Sequence, residues 1–431
     1  MTNNRAKPIT HKTKFVMSKG INFLTAPFAV SRNDATSSDV RLWTPAYLFA
    51  FFSYFMLFIS YYILIPTLPF YLTMHLGESG TTAGIILSLF NIVSLLCRPI
   101  SGYVIDLFKR KPIYLACYAL FTVVCAGYMF SSFIIIFILL RILHGAIFSF
   151  TTVSANTLAV DILPESRRGE GIGYFGMATN LGMAVGPAIG LFLMSNYNFN
   201  FIFGFAFFTC VLGLFAIMLI KQSSIPAKKS EEKPSLKASL ILRNGLWGAA
   251  AFFFVAISYG VMTNYISLYS KSIGIHEATG FFFSILAAGL VIGRIASAKV
   301  INKGTINAVI YTGIIILLVA LGLFLQLLDL TTFYICAFLF GLAYGFITPA
   351  FQTMFVRLAD DNQRGTANST YFTAWDCGLG LGVALGGSFI EHYNYNTLFI
   401  FCICTVVMGL ILFTVKAAPY FSVYMLLKNR R

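Results

Sequence analysis

Long apolar runs alternate with short polar segments along this chain of 431 residues. An α-helix rises 1.5 Å per residue, so about 20 apolar residues cross the roughly 30 Å hydrocarbon core of a bilayer. Runs of about that length recur, which predicts an all-α integral membrane protein with twelve transmembrane helices. The predicted spans are residues 45–72, 82–105, 112–130, 132–158, 171–194, 200–220, 244–270, 280–300, 306–328, 332–356, 368–390 and 397–415.

Two polar segments divide these spans into two sets of six. Residues 1–43 are predicted to form an N-terminal tail, and residues 44–220 a first six-helix bundle. A linker rich in Lys, Glu, Ser and Pro follows at 221–243. Residues 244–415 are predicted to form a second six-helix bundle, and residues 416–431 a second tail.

The two halves repeat each other at a constant offset of 196 residues. One shared glycine would mean little in so apolar a chain, whereas several landmarks in one register indicate a duplication. Paired six-helix halves are typical of transporters whose bundles rock about a central site, so we expect two pseudo-symmetric bundles. The paired landmarks are Arg98 and Arg294, Gly145 and Gly341, Arg168 and Arg364, Gly182 and Gly378, Gly186 and Gly382, and Gly190 and Gly386.

Basic residues are unevenly distributed between the loops. If the N-terminus is cytoplasmic, 26 of the 30 lysines and arginines lie in cytoplasmic segments. This pattern predicts a multi-pass protein of the plasma membrane with both termini in the cytoplasm. Anionic lipid headgroups then account for the net charge of +15, so we expect the bilayer, and no nucleic acid, as its partner. Residues 14–30 fit either a flexible tail or an interfacial helix.

No catalytic, metal or cofactor site is predicted. All eight cysteines fall in apolar spans, without the CxxC or Cys/His spacing of a metal site. The chain also lacks a pattern that would pair a nucleophile with a base. We therefore expect a protein that is not an enzyme and that needs no cofactor.

Three motifs resemble those of the major facilitator superfamily, in particular its twelve-helix drug:proton antiporter branch, and the resemblance covers about residues 42–415. The first, RPISGYVIDLFKRK, is similar to a loop motif of glycine, aspartate and a basic cluster, although Leu107 and Lys109 depart from the family pattern. An aspartate beside concentrated positive charge can latch one conformation and release in another. The alternative is that these charges only set topology. The proposed latch residues are Arg98, Gly102, Asp106, Arg110 and Lys111.

The second motif, LLRILHGAIFS, resembles the family's buried-arginine motif. Arg141 and Gly145 match it, and His144 stands where the family usually has glutamine. Arg141 lies about nine residues into its span, which is roughly 13 Å deep. A cation at that depth is costly and indicates a function, with a structural salt bridge as the alternative.

The third motif is a glycine cadence in the fifth span. Small residues four apart let two membrane helices approach closely, and neighbouring groups can satisfy the backbone near a proline. The resemblance to the antiporter motif implies export, although Leu191 stands where the family has a last glycine. The motif consists of Gly173, Gly182, Gly186, Pro187 and Gly190.

One acidic residue, Asp376, lies well inside a span, whereas the other acids of the 15 lie in loops, tails or helix ends. It is about eight residues from the cytoplasmic end, hence roughly 12 Å deep and at a depth similar to Arg141. Our hypothesis is that Asp376 carries the coupled proton, that Arg141 tunes it, and that His144 is a second titratable candidate. The alternatives are a permanent ion pair for Asp376 and a neutral packing role for His144.

The polar and aromatic residues of several spans are candidates for a substrate cavity. The resulting prediction is a secondary active transporter that acts as a monomer and exports a small organic molecule in exchange for protons by alternating access. Uptake of a small nutrient is the alternative within transport, and a receptor or scaffold is the alternative outside it. The cavity candidates are Tyr54, Tyr61, Tyr62, Asn156, Asn264 and Gln352.

Overall fold

The computed structural model describes residues 41–78, 80–221, 240–275, 279–326 and 329–428. Within these ranges the regular secondary structure is helical, which confirms the predicted all-α class. Nearly all of the predicted N-terminal tail, including the stretch 14–30, and most of the linker lie outside the described residues.

The helices fall into a first and a second half on either side of the linker. Those of the first half are α1 Pro45–Phe70, α2 Gly80–Leu107, α3 Arg110–Gly127, α4 Ile134–Ile162, α5 Arg168–Phe175, α6 Met177–Asn196 and α7 Phe199–Leu219. Those of the second half are α8 Leu246–Ser272, α9 Thr279–Asn302, α10 Ile306–Leu325, α11 Leu330–Leu358, α12 Arg364–His392, α13 Tyr395–Leu412 and α14 Ala418–Lys428. Five-residue π-helical turns follow α1 at Tyr71–His75 and join α13 to α14 at Phe413–Ala417.

The offset of 196 residues is visible in the helix bounds. Helices α4 and α11 both contain 29 residues, and each bound of α11 is displaced by 196 from that of α4. The next helices begin at Arg168 and Arg364, which are also 196 apart. One difference stands out: the first half breaks at Gly176, between α5 and α6, whereas α12 runs on without interruption.

Eleven helical segments of the described chain are long and apolar enough to cross a membrane. Helix α12 is not among them, although it contains 29 residues. Its first half is rich in Thr, Ser and Asn and includes Asp376, so its composition is that of a helix facing polar surroundings. The count of twelve spans therefore stays a prediction. The C-terminal tail predicted from residue 416 is helical in the structure as far as Lys428, because the turn Phe413–Ala417 leads directly into α14.

Each half has its own apolar core. In the first half, buried residues such as Leu57, Tyr118 and Leu158 form one cluster. In the second half, buried residues such as Phe282 and Phe351 form another. Because each half buries its own apolar side chains, the two can be held together by a smaller set of specific contacts.

The glycine cadence packs α6 against α1. A Cβ atom added at Gly182 would lie 2.7 Å from Phe58 Cβ, and one at Gly186 would lie 2.5 Å from Tyr62 Cβ. Farther along, a Cβ at Gly190 would lie 2.5 Å from the carbonyl oxygen of Ile63. No side chain larger than hydrogen fits at these separations, so the glycines set the distance between the two helices. In the second half Gly378, Gly382 and Gly386 pack α12 against α8 in the same way.

Candidate functional site

An ion pair joins the two halves near the middle of α2 and α12. Arg98 Nε lies 2.8 Å from Asp376 Oδ2, and Arg98 Nη1 donates to Thr152 Oγ1 at 2.5 Å. The Arg98 guanidinium also lies over the ring of Phe372, 4.6 Å from its centre. The Arg98 side chain is 5% exposed and that of Asp376 is 27% exposed. The cation is thus enclosed, whereas the carboxylate remains partly open.

Arg141, which the sequence suggested as the cation beside Asp376, has other surroundings. Its Nη2 donates to the carbonyl oxygen of Leu87 at 3.0 Å, and its guanidinium lies 4.8 Å from the centre of the Phe90 ring. Its Nε has no hydrogen-bond partner in the described part of the chain. The structure therefore gives the partnership with Asp376 to Arg98, which the sequence had placed in the latch motif.

His144 is enclosed by aromatic rings. The Tyr128 hydroxyl lies 3.1 Å from His144 Nδ1, and the rings of Phe90 and Phe121 lie edge-on to the imidazole. His144 is fully buried, and its Nε2 has no partner among the residues described. These contacts agree with the packing alternative. They place the imidazole in an aromatic pocket of the first half rather than beside the ion pair.

Three of the six cavity candidates belong to one buried hydrogen-bond network. Gln352 Nε2 donates to Asn156 Oδ1 at 2.9 Å and to Asn368 Oδ1 at 3.0 Å. Asn156 Nδ2 in turn donates to the Tyr54 hydroxyl at 2.8 Å. Asn156 and Gln352 are repeat-related, being 196 residues apart. The network therefore connects the halves at equivalent positions, and Asn368 is a member that the sequence did not suggest.

The other three candidates are separate from this network. Tyr61 stacks on Phe148 with ring centres 4.9 Å apart, and its ring centre lies 5.2 Å from that of Tyr62. Both tyrosines are partly buried. Asn264 is exposed, and it donates to the carbonyl oxygen of Gly260 on its own helix at 2.9 Å. The first two form an aromatic surface, whereas Asn264 joins neither group.

Asp106 of the loop motif caps a helix of the other half. Its carboxylate accepts hydrogen bonds from the backbone N–H groups of Gly365 and Thr366, each at 2.7 Å, and from the Thr366 hydroxyl. Arg110 Nη2 lies 3.1 Å from Asp106 Oδ1. A carboxylate at a helix N-terminus satisfies free N–H groups and interacts favourably with the helix dipole. Asp106 thus fastens α2 to the start of α12.

Two other motif residues, Arg110 and Gly102, take part in contacts between the halves near Asp106. Arg110 Nε lies 3.1 Å from Asp161 Oδ2, and Asp161 also pairs with Arg364 of the second half. Lys111 donates to the carbonyl oxygen of Ile220 at 2.6 Å, at the C-terminal end of α7. Gly102 packs against Ser369, where a Cβ atom would collide. The structure therefore brings the motif residues other than Lys111 to the junction of α2 and α12, whereas Lys111 binds within the first half.

A second, repeat-related contact joins the halves at the same end. Glu170 N donates to Asn302 Oδ1 at 2.8 Å, and Asn302 Nδ2 donates to Glu170 Oε2 at 3.1 Å. Asn302 corresponds to Asp106 and Glu170 to Thr366 at the offset of 196. The sequence did not suggest this pair, because neither residue type matches its counterpart. The only signal for it in the sequence is the repeat register, which places Asn302 at the position of Asp106.

The sequence as a whole matches one protein family. The family model described as Major Facilitator Superfamily matches residues 50–329 and 312–421. This chain belongs to the Major Facilitator Superfamily. It is a multi-pass transporter of small molecules that is located in the plasma membrane.

Curated relatives of this family member include named exporters. It is 22% identical over 357 residues to the staphylopine export protein of Staphylococcus aureus, covering 80% of this chain and 89% of that protein. It is 25% identical over 382 residues to the multi-drug resistance efflux pump PmrA of Streptococcus pneumoniae, covering 81% and 90%. Among solved structures, the human organic anion transporter MFSD10 (TETRAN) has the same fold, with a TM-score of 0.72 and 16% identity, covering 85% of this chain and 98% of that chain.

Proposed function

We propose that this transporter exports a small organic molecule in exchange for protons, by alternating access and as a monomer. The observation that carries the proposal is the ion pair between Arg98 and Asp376. It joins the two halves, and the Asp376 carboxylate is partly exposed whereas the Arg98 guanidinium is buried. A proton on Asp376 would remove one charge of the pair and leave Arg98 buried without its counter-ion, which is costly. Protonation would therefore favour separation of the halves at this point.

The contacts between the halves support one defined state of the cycle. The hydrogen bonds described above join the C-terminal ends of α2 and α9 to the N-terminal ends of α12 and α5. With the predicted topology, those ends face the cytoplasm. The protein is then closed to the cytoplasm, and Asp376 can receive a proton from the outside. Opening to the cytoplasm requires Asp106 to leave the start of α12, which is the latch role proposed for it.

The direction of transport rests on two supports. The relatives named above are an export protein and an efflux pump. The glycine cadence, which resembles the antiporter motif, packs α6 tightly on α1. Inward movement of protons through Asp376 would then drive substrate outward. His144 and Arg141 stay candidates for a supporting role in the first half.

Everted membrane vesicles test coupling and direction together. We expect vesicles with an acidified lumen to accumulate at least one member of a panel containing tetraphenylphosphonium, zwitterionic amino-acid conjugates and naphthoate. Asp376→Asn should abolish the response to the pH gradient. Asp329→Asn is the matched control, because Asp329 is an exposed cap of α11 and asparagine caps equally well. Gradient-driven accumulation in Asp376→Asn would refute the proton role, and uptake into intact cells driven by an inward proton gradient would refute export.

A further inference from the structure

Arg294 is a second buried arginine between the halves, and no carboxylate of the described residues pairs with it. It is the repeat-related counterpart of Arg98 and is 8% exposed. Its Nη1 makes one long contact of 3.5 Å with the carbonyl oxygen of Gly173, and its Nε has no partner in the ranges the structure describes. None of the ion pairs found among the described residues includes it. A buried cation without a counter-ion is costly and indicates a function.

The residue that corresponds to Asp376 is Asn180 on α6. Its side chain is the uncharged isostere of aspartate. It is 6% exposed, and its Nδ2 is buried without a hydrogen-bond partner among the described residues. The second site therefore keeps the arginine of the first and lacks its negative charge. Its two unsatisfied nitrogen atoms are both hydrogen-bond donors.

Arg294 and Asn180 lie on facing helices of opposite halves. The Arg294 guanidinium packs against Gly176 so closely that a Cβ atom there would collide with it. Asn180 follows Gly176 by four residues on α6, which is one helical turn. At the first site the residue that corresponds to Gly176 is Phe372, whose ring covers Arg98. At the second site there is no ring in that position.

Among the described residues, the ionisable groups near Arg294 are tyrosines and not acids. Tyr54, Tyr259 and Tyr371 lie within electrostatic range of its guanidinium. They come from α1, α8 and α12, so the site is lined by both halves. Phenol groups can donate a hydrogen bond to an anion, but as neutral groups they do not balance the charge of an arginine.

We propose, on the basis of the exporter function above, that Arg294 and Asn180 bind a carboxylate group of the transported molecule. A guanidinium presents a planar fork of donors that matches a carboxylate, and the Asn180 amide adds a further donor. The substrate carboxylate supplies the negative charge that Asp376 supplies at the first site and that Asn180 lacks. It bridges α9 and α6, so it holds the halves together where the substrate is bound. The proton then acts on the pair of Arg98 and Asp376, and the substrate acts on the repeat-related pair of Arg294 and Asn180.

Binding of matched ligand pairs to the purified, full-length protein in nanodiscs tests this site. Each aromatic carboxylate, such as naphthoate or indole acetate, is compared with its own carboxamide by calorimetry. We expect the carboxylate to bind at least about tenfold more tightly, the size of one charge-assisted hydrogen bond. Equal binding in every pair overturns the proposal. Saturation of the same site by chloride or sulfate without preference for the organic carboxylate also overturns it.

Asn180→Asp is the decisive variant because it supplies the missing charge from the protein itself. We expect it to abolish the carboxylate preference and to raise the melting temperature, because Arg294 gains a resident partner. The matched control is Asn196→Asp, at the exposed end of the same helix, which should keep the preference. The direct variant, Arg294→Gln, removes the proposed carboxylate-binding cation but could fail to fold. The test does not depend on it, because a carboxylate preference retained in Asn180→Asp contradicts the proposal.

The two proposals fail in different ways. Proton-driven export of tetraphenylphosphonium without carboxylate preference would leave the exporter function and remove the Arg294 site. Carboxylate binding that depends on Asn180 and Arg294, without any response of transport to the pH gradient, would keep the site and remove proton coupling.

Discussion

Gln352 donates a hydrogen bond to Asn156 across 2.9 Å, and the two residues are 196 positions apart. They are thus the same position in the two copies of the repeat. Equivalent positions of two pseudo-symmetric halves meet where the axis that relates them passes between the halves. The pair therefore marks where that axis passes between α4 and α11. A rocking motion of the halves should disturb this hydrogen bond less than it disturbs contacts farther from the axis.

The central hydrogen bond predicts a non-additive effect of mutation. Asn156→Ala and Gln352→Ala should each lower the melting temperature, because each leaves a buried amide unsatisfied at a cost of about 1–3 kcal/mol. The melting temperature of the double variant should fall by less than the sum of the two single effects, because both single variants lose the same hydrogen bond. Thermal denaturation in detergent measures all three. Simple additivity would contradict a direct bond between these residues.

The ion pair predicts that a double variant is more stable than either single variant. Arg98→Gln and Asp376→Asn alone should each cost about 1–3 kcal/mol, because each leaves a partner without its charge. Together they leave no unpaired charge, so part of the loss should return in thermal denaturation. Proton-driven transport should be absent from the double variant. A double variant with a melting temperature no higher than that of the less stable single variant would show that the pair does not hold the halves together.

Asp106→Asn should weaken closure at the end where Asp106 caps α12. The variant loses its charged interactions with the helix N-terminus and Arg110, worth about 1–2 kcal/mol. That energy corresponds to a change of roughly 5- to 30-fold in the ratio of closed to open states. Maleimide labelling of Ser369→Cys, in a background without native cysteines, measures the opening because Ser369 is buried against Gly102. Unchanged labelling relative to the Asp329→Asn control would contradict the latch.

Gly186→Ala should disrupt the packing of α6 on α1. The added methyl group would lie 2.5 Å from Tyr62 Cβ, so the helices must shift, at a cost of about 1–3 kcal/mol. Gly322→Ala on α10 is the control, because nothing lies within 4 Å of its added Cβ atom. That control should be neutral, or more stable by up to about 1 kcal/mol through helix propensity. Equal melting temperatures for both variants would show that the cadence does not set the helix separation.

Much of the fold follows from the sequence because crossing a bilayer depends on local composition. The apolar runs predicted helices within a few residues of those observed for α4, α7 and α11. The offset of 196 found from a few landmarks is repeated in the bounds of whole helices. Composition was least informative for α12, because a helix with Thr, Asn and Asp residues facing other helices carries a weaker apolar pattern.

The partners of the charged residues were decided by the tertiary structure. The sequence determined which residues are buried and how deep they lie, since depth is a count of residues along a helix. Depth was counted from the outer end of α4 for Arg141 and from the cytoplasmic end of α12 for Asp376, so the expectation that the two lie side by side was wrong. Arg98 is close to the cytoplasmic end of α2 and is therefore level with Asp376. Whether the two side chains meet depends on how α2 and α12 pack, and these residues are 278 positions apart in the chain. Packing between the halves also left Arg294 Nε and Asn180 Nδ2 without hydrogen-bond partners among the described residues, which no pattern within either half could show.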